Sequence, residues 1–166
     1  MPVSKIVLDH QKLAEILKQK RTGPTGGGRV VFTNGCFDLL HVGHVRYLKE
    51  AREQGDLLVV ALNTDASVQK LKGPSRPVQH ELDRAEIMAA LECVDYVTLF
   101  GSDPSEGDTP LKLIELLAPD VLVKGGDWPP EKIIGSTFVL GHGGQVKSLA
   151  FQPGRSTSSI IEKIKS

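Results

Sequence analysis

The chain has 166 residues, enough for one domain with a substantial core and too few for two comfortable ones. Twenty basic residues balance twenty acidic ones, which excludes a broad electrostatic footprint for nucleic acid or an anionic membrane and favours small-molecule chemistry. No run approaches the roughly 20 uninterrupted apolar residues of a membrane span, and the N-terminus lacks a basic-then-apolar leader, so a cytoplasmic protein is expected.

In chain order, Ser4 to Arg21 carries Leu13, Ile16 and Leu17 at helical spacing and predicts a docking helix. Thr22 to Gly28, rich in glycine, reads as a connector, so residues 1–28 are set apart from a main domain over 29–166. Gly26-Gly27-Gly28 precedes the first strand and stands on the wrong side of it for a phosphate loop. From there strand-like and helical runs alternate: strand Val30 to Thr33, helix His44 to Glu53, strand Leu57 to Leu62 and helix Asp83 to Cys93. Strand Tyr96 to Phe100, helix Pro110 to Leu117, strands Val121 to Val123 and Gln145 to Ala150, and helix Ser156 to Lys165 follow. Short, nearly continuous β-branched runs between helices predict an α/β fold, a doubly wound Rossmann-like five-stranded parallel sheet covered on both faces. Ligands of such sheets lie beyond the carboxyl ends of the strands, so the loops at 33–44, 63–65, 124–128 and 152–157 should converge on one cleft.

The first of these loops carries the most chemistry. After the strand comes Thr33-Asn34-Gly35-Cys36-Phe37-Asp38, with Asn34-Gly35 read as a tight turn, and then His41-Val42-Gly43-His44 opening a helix. A helix start offers free amides and a positive dipole end to an anion, Gly43 lets a ligand approach the backbone, and two imidazoles three residues apart share a helix face. Two histidines satisfied by backbone or solvent are the bland alternative. Cys36, His41 and His44 lack a fourth ligand for structural zinc, and Cys36 and Cys93 are expected as reduced thiols.

Further along, Lys70-Leu71-Lys72-Gly73-Pro74-Ser75-Arg76-Pro77 reads as a mobile cationic lid or a solvated loop. Arg84 stands near a helix start, where the dipole disfavours a cation unless an anion such as Glu81 or Asp83 compensates. Lys124-Gly125-Gly126-Asp127-Trp128 reads as a base or ribose pocket, or as a turn with a core-packed indole. Gly154-Arg155-Ser156-Thr157-Ser158-Ser159 supplies more hydroxyls than one helix cap needs, which favours phosphate contact.

Four stretches in this order, VVFTNGCFDLLHVGH, ALNTDASVQKLKGPSRPV, VLVKGGDW and GRSTSSII, resemble the HxGH nucleotidyltransferases, and among them the heptose 1-phosphate adenylyltransferases, over about Ile6 to Lys165. The resemblance implies transfer of AMP from ATP, with Mg²⁺ on the triphosphate instead of on protein side chains, to D-glycero-β-D-manno-heptose 1-phosphate, giving ADP-heptose and pyrophosphate. It implies His41 and His44 on the phosphates, Lys72 and Arg84 against developing charge, and Ser156 and Thr157 on the leaving pyrophosphate, with Ser158 in the same signature. Thr33, Asn34, Gly35, Cys36, Phe37, Gly43, Lys124, Gly126, Asp127 and Trp128 complete the nucleotide site. Asp38, Asn63, Asp65, Lys72 and Arg76 are expected on the sugar phosphate side. A separate upstream heptose kinase and a homodimer are implied, with neither nucleic acid nor membrane as partner. Two rival readings stand beside this one: a cytidylyltransferase acting on glycerol 3-phosphate or a similar phosphate, and a non-catalytic nucleotide sensor. Gln152 stands where the glycerol-3-phosphate cytidylyltransferases carry an arginine, which weakens the CTP reading.

Overall fold

The computed structural model describes residues 4–23, 27–103, 105, 107–150 and 153–166. The sheet holds β1 (Val30–Gly35), β2 (Leu57–Asn63), β3 (Tyr96–Phe100), β4 (Val121–Gly125) and β5 (Gln145–Leu149), all parallel, in the order β3-β2-β1-β4-β5. The chain winds outward in one direction from β1 and in the other from β4. Their carboxyl ends therefore flank a crevice, the usual ligand position in such sheets.

Alternate side chains of each strand enter two separate cores, which is why the strands read as unbroken apolar runs. One core joins Val30, Phe32, Val59, Ala61 and Leu122 to Leu13 and Leu17 of α1 (His10–Thr22) and to Leu113, Ile114 and Leu117 of the helix Leu111–Leu117. The other joins Val31, Leu58, Val60, Leu62, Val121 and Val123 to Leu48 and Ala51 of α2 (Val42–Arg52) and to Ala85 and Met88 of the helix Glu81–Ala89. Leu13 and Leu17 are completely buried, each burial contributing about 1.5–3 kcal/mol. Helix α1 is thus a layer of the same core. The connector residues 24–26 lie outside the described part of the chain.

Several boundaries differ from the sequence reading. Helix α1 starts only at His10, where the Asp9 carboxylate caps it by accepting from the Lys12 amide at 3.0 Å. The residues before it run beside β3, with the Val7 amide donating to the Val97 carbonyl and the Val97 amide to that of Lys5. Asn34-Gly35 is not a turn: both residues stay in β1, in register with Ala61 and Leu62. The reversal falls later, around Phe37, whose φ is +43°.

Two helices were not foreseen. One is α3 (Asp65–Lys72), capped by Thr64; the chain continues with α4 (Glu81–Ala89) and α5 (Leu111–Leu117). The other is α6 (Ser136–Gly141), preceded by a short 3-10 turn at Pro130–Lys132 and followed, after β5, by α7 (Thr157–Lys165). Among the described residues no helix is long and apolar enough to cross a membrane.

Candidate active site

The bend between β1 and α2 is shaped by two glycines. A Cβ at Gly35 would lie 2.9 Å from the Phe37 ring, and one at Gly43 would lie 2.8 Å from His41 Nδ1. Phe37 in turn sets its ring against His44, centroids 5.1 Å apart at 60°. His41 is the N-cap of α2 and makes no side-chain capping bond, so no side chain occupies the first amides of the helix. Its imidazole stacks on that of His44, centroids 3.8 Å apart at 24°.

Both Nδ1 atoms are buried without a hydrogen-bond partner. Such an orphaned polar atom costs about 1–3 kcal/mol. Burial, and after it the neighbouring His41, push the His44 pKa down to about 4. Burial and then Arg155 lower that of His41. The pair is therefore built as neutral imidazoles, each keeping one N–H to donate and able to take up a proton once an anion lies against it.

Behind the bend stands a network of committed charges. The Asp38 carboxylate is fully buried and accepts from Arg76 Nε at 2.7 Å and from the Val78 and Gln79 amides. Burial works against its charge, but the Gln79 and Val78 amides and the Arg76 guanidinium together hold its pKa below the usual value. Arg84 is equally buried; it donates to the Gln79 carbonyl at 3.0 Å, the Cys36 carbonyl at 2.7 Å and Asp65 at 2.7 Å. The segment after α3 is thereby strapped to the bend from both sides.

This geometry revises the expected lid and several expected contacts. Lys70 and Lys72 belong to α3 instead of a loop, Lys70 pairs with Asp108 at 3.3 Å, and Arg76 is held by Asp38. Asp38 and Asp65 face arginines, not an open sugar site. Arg84 fixes the bend from beneath, and the carboxylate that compensates it is Asp65, not Glu81 or Asp83. Asn63 donates to Ser67 Oγ at 2.9 Å and accepts from the Cys36 thiol, while the Thr33 hydroxyl meets the Tyr47 hydroxyl at 2.7 Å. Of the cations expected in the lid and at the helix start, Lys70, Lys72, Arg76 and Arg84, Lys72 is the one whose ammonium has no ion pair among the described residues. It lies within electrostatic reach of Cys36 and Lys124.

The far loops do converge. Thr157 Oγ1 donates to the Leu39 carbonyl at 2.9 Å, which ties the start of α7 to the bend, while Ser156 Oγ caps that helix by accepting from the Ser159 amide at 3.0 Å. The Thr157 proton is thereby committed, the Ser156 hydroxyl keeps its proton to donate, and Ser158 is exposed beside them. Arg155, whose Cβ stands 3.3 Å from the space beside Gly43, brings a cation toward His41. Gln152 lies outside the described residues. After β4, Gly126 has a φ of +106° and donates its amide to the Leu149 carbonyl at 2.8 Å, and Asp127 is exposed. The Trp128 indole is 52% exposed, so it is not a core-packed ring; it lines a pocket of about 190 Å³ with Asn34, Lys124 and Lys132. Lys132 has no motif around it, and nothing in the sequence singled it out. A larger cleft of about 410 Å³ lies at the opposite ends of the strands, beside Arg29, Asp120 and Gly144, away from the carboxyl ends where such folds bind ligands.

The model of the family described as cytidylyltransferase-like matches residues 32–163, four-fifths of the chain and every element of the site. The chain belongs to this family, that of the HxGH nucleotidyltransferases. It is 57% identical over 153 residues to the bifunctional protein HldE of Geotalea uraniireducens, covering 92% of this chain and 30% of that protein. It is 54% identical over 162 residues to the protein of the same name from Syntrophotalea carbinolica, covering 97% and 31%. The chain thus spans about a third of the length of these curated relatives. Among solved structures, a lipopolysaccharide core biosynthesis protein of Thermoplasma volcanium aligns with TM-score 0.58 and 30% identity over 76% of this chain and 98% of that one. Pantoate-beta-alanine ligase of Francisella tularensis, at 15% identity and TM-score 0.56 over 94% of this chain and 69% of that one, shares the fold alone. Nucleotidyltransferases of this kind generally use ATP with a divalent metal.

Proposed function

We propose that this chain transfers the adenylyl group of ATP to D-glycero-β-D-manno-heptose 1-phosphate, giving ADP-heptose and pyrophosphate. The observation that carries the reading is the stacked pair His41 and His44, neutral and half-buried, with both Nδ1 atoms buried and short of partners, at an uncapped helix start. An oxygen of the sugar phosphate forms a bond to the α-phosphorus while the bond from that phosphorus to the oxygen bridging to the β-phosphorus breaks, and its electron pair leaves with pyrophosphate. The acceptor oxygen is already anionic near neutral pH, since a phosphate monoester loses its second proton near pH 6. Neither a general base nor a covalent nucleophile is required, and catalysis consists of positioning and charge stabilisation.

The two imidazoles donate to phosphate oxygens, the first amides of α2 face the same charge, and Lys72 and Arg155 add the mobile cations. Arg84 and Asp38 keep the bend in shape. A divalent metal, Mg²⁺ in this reading, would come bound to ATP and would supply charge neutralisation on the phosphate oxygens. Asp38 and Asp65 are engaged by arginines, so this reading carries the metal on the triphosphate. The acceptor must come from an activity that phosphorylates the sugar at its anomeric carbon, which agrees with relatives called bifunctional of which the chain matches only 30%.

A second reading, transfer of CMP from CTP to glycerol 3-phosphate, is favoured by the family's description as cytidylyltransferase-like. Pyrophosphate release measured with ATP or CTP against a panel of sugar and polyol phosphates separates the two. Turnover with ATP and the heptose phosphate is expected; turnover only with CTP and glycerol 3-phosphate contradicts the proposal. Binding of ATP without pyrophosphate from any acceptor points instead to a nucleotide sensor.

A further inference from the structure

From the pocket beside Trp128 we infer that the acceptor's sugar phosphate is held by Lys124, Lys132, Asn34 and the Trp128 indole, with Lys132 as its anion contact; this rests on the nucleotidyltransferase reading above. In β1, Val30 and Phe32 face the core formed with α1 and α5, so Asn34 continues on that face. Leu122 of β4 does the same, so Lys124, two residues on, continues on that face. Helix α2, which carries the histidine pair, packs on the opposite face. The pocket and the phosphate-gripping bend therefore lie on either side of the crevice between β1 and β4.

That arrangement suits the reaction. Attacking and leaving oxygens stand roughly in line across the α-phosphorus, so an acceptor must approach from the side opposite the pyrophosphate. With the pyrophosphate against His41, His44 and α7, the opposite side is this pocket. Its lining supplies the chemistry of a sugar phosphate instead of a neutral nucleobase: Lys124 and Lys132 make it doubly cationic, and among the described residues no carboxylate lines it. The half-exposed Trp128 ring, with Ile133 and Ile134, offers a flat apolar wall to the C–H face of a pyranose, and the Asn34 amide can both donate to and accept from hydroxyls. Lys132 is exposed and its ammonium has no ion-pair partner among the described residues. Burial lowers the pKa of Lys124, a shift that a bound anion would reverse. In this assignment Lys124 and Trp128 serve the acceptor instead of the base pocket that the sequence suggested.

Trp128 is the one tryptophan of the chain, so its emission reports on this pocket directly. Emission is titrated with D-glycero-β-D-manno-heptose 1-phosphate, with mannose 1-phosphate and with ATP, each with and without a non-hydrolysable α,β-methylene ATP. Saturable sugar phosphate responses are expected, weakened at least tenfold in Lys132→Ala and largely restored in Lys132→Arg, with the affinity for ATP unchanged. In turnover, Lys132→Ala should raise KM for the sugar phosphate at least tenfold and leave KM for ATP within twofold. A loss of ATP affinity in Lys132→Ala, or turnover of the heptose phosphate with no change in Trp128 emission, overturns the assignment. Saturable sugar phosphate binding without pyrophosphate release upholds the pocket and refutes the reaction, so the two failures are distinct.

Discussion

Gly43 keeps its neighbours' rings together because there is no room for a side chain beside them: a Cβ would lie 2.8 Å from Nδ1 and 2.9 Å from Cε1 of His41. Gly43→Ala should swing the His41 ring out of the stack and lower kcat at least tenfold, about 1.4 kcal/mol of barrier. The gain in helix propensity, up to about 1 kcal/mol, offsets the strain, so thermal unfolding should move little; a large fall in melting temperature with proportionate loss of activity would mark Gly43 as a folding residue only. The histidines also carry a pH signature. A base whose folded pKa is depressed favours the neutral folded form, so the His44 contribution is fully present above its ordinary value of 6.5 and is lost as pH falls toward about 4. Urea unfolding across that interval should show stability falling with acid, and the His44→Asn variant should show a shallower fall. The histidine pair was legible in sequence because its spacing and the intervening glycine are local. The role of Arg84 was not, since its acceptors at Cys36, Asp65 and Gln79 come from three separate segments that only the fold brings together.

At the scale of elements, the segment between α3 and α4 is fixed by Asp38 instead of swinging as a lid. Removing one partner of a buried ion pair leaves the other uncompensated, so Asp38→Ala should destabilise the fold by about 3–5 kcal/mol. Equilibrium urea unfolding reads this, and a loss below about 1 kcal/mol would mean that Arg76 finds another partner and the strap is weak. Because the folded pKa of Asp38 is lowered, its contribution is present above the ordinary value of 3.8 and disappears as pH falls below it. Helix α3 escaped the sequence reading for a physical reason: it has eight residues, and its Thr64 cap sits directly at the end of β2, so no loop announces it. Helix α6, six residues with a glycine at each end, is too short for periodicity to register. The start of α1 falls later than the sequence suggests because Ile6 and Val7 extend the apolar pattern N-terminally while belonging to the edge of β3; Asp9, the N-cap, is the signal that marks the true start.

For the molecule as a whole, parallel topology was legible because strands buried on both faces must be apolar throughout, and their alternation with helices leaves few arrangements. The position of the crevice followed from that topology. The acceptor pocket proposed on one side of it did not, because Lys132 reaches that pocket from a turn with no recognisable motif. Helix α1 belongs to the same cooperative unit as the sheet, and Leu17→Ala should cost about 2–5 kcal/mol in a single transition; a separate early transition would mean that α1 melts independently. Saturation with ATP to a hundred times its Kd should stabilise the wild type by about 2.7 kcal/mol.

The grip of the imidazole pair on a triphosphate is tested most directly by following the ring protons of the five histidines by NMR during titration with ATP and Mg²⁺. The His41 and His44 signals should move saturably with ATP, and the pH titration of His44 should rise from about 4 in the bound state as phosphate charge favours its protonated form, while His10 and His142 stay in place. Saturable binding of ATP that leaves both His41 and His44 unmoved would contradict the account.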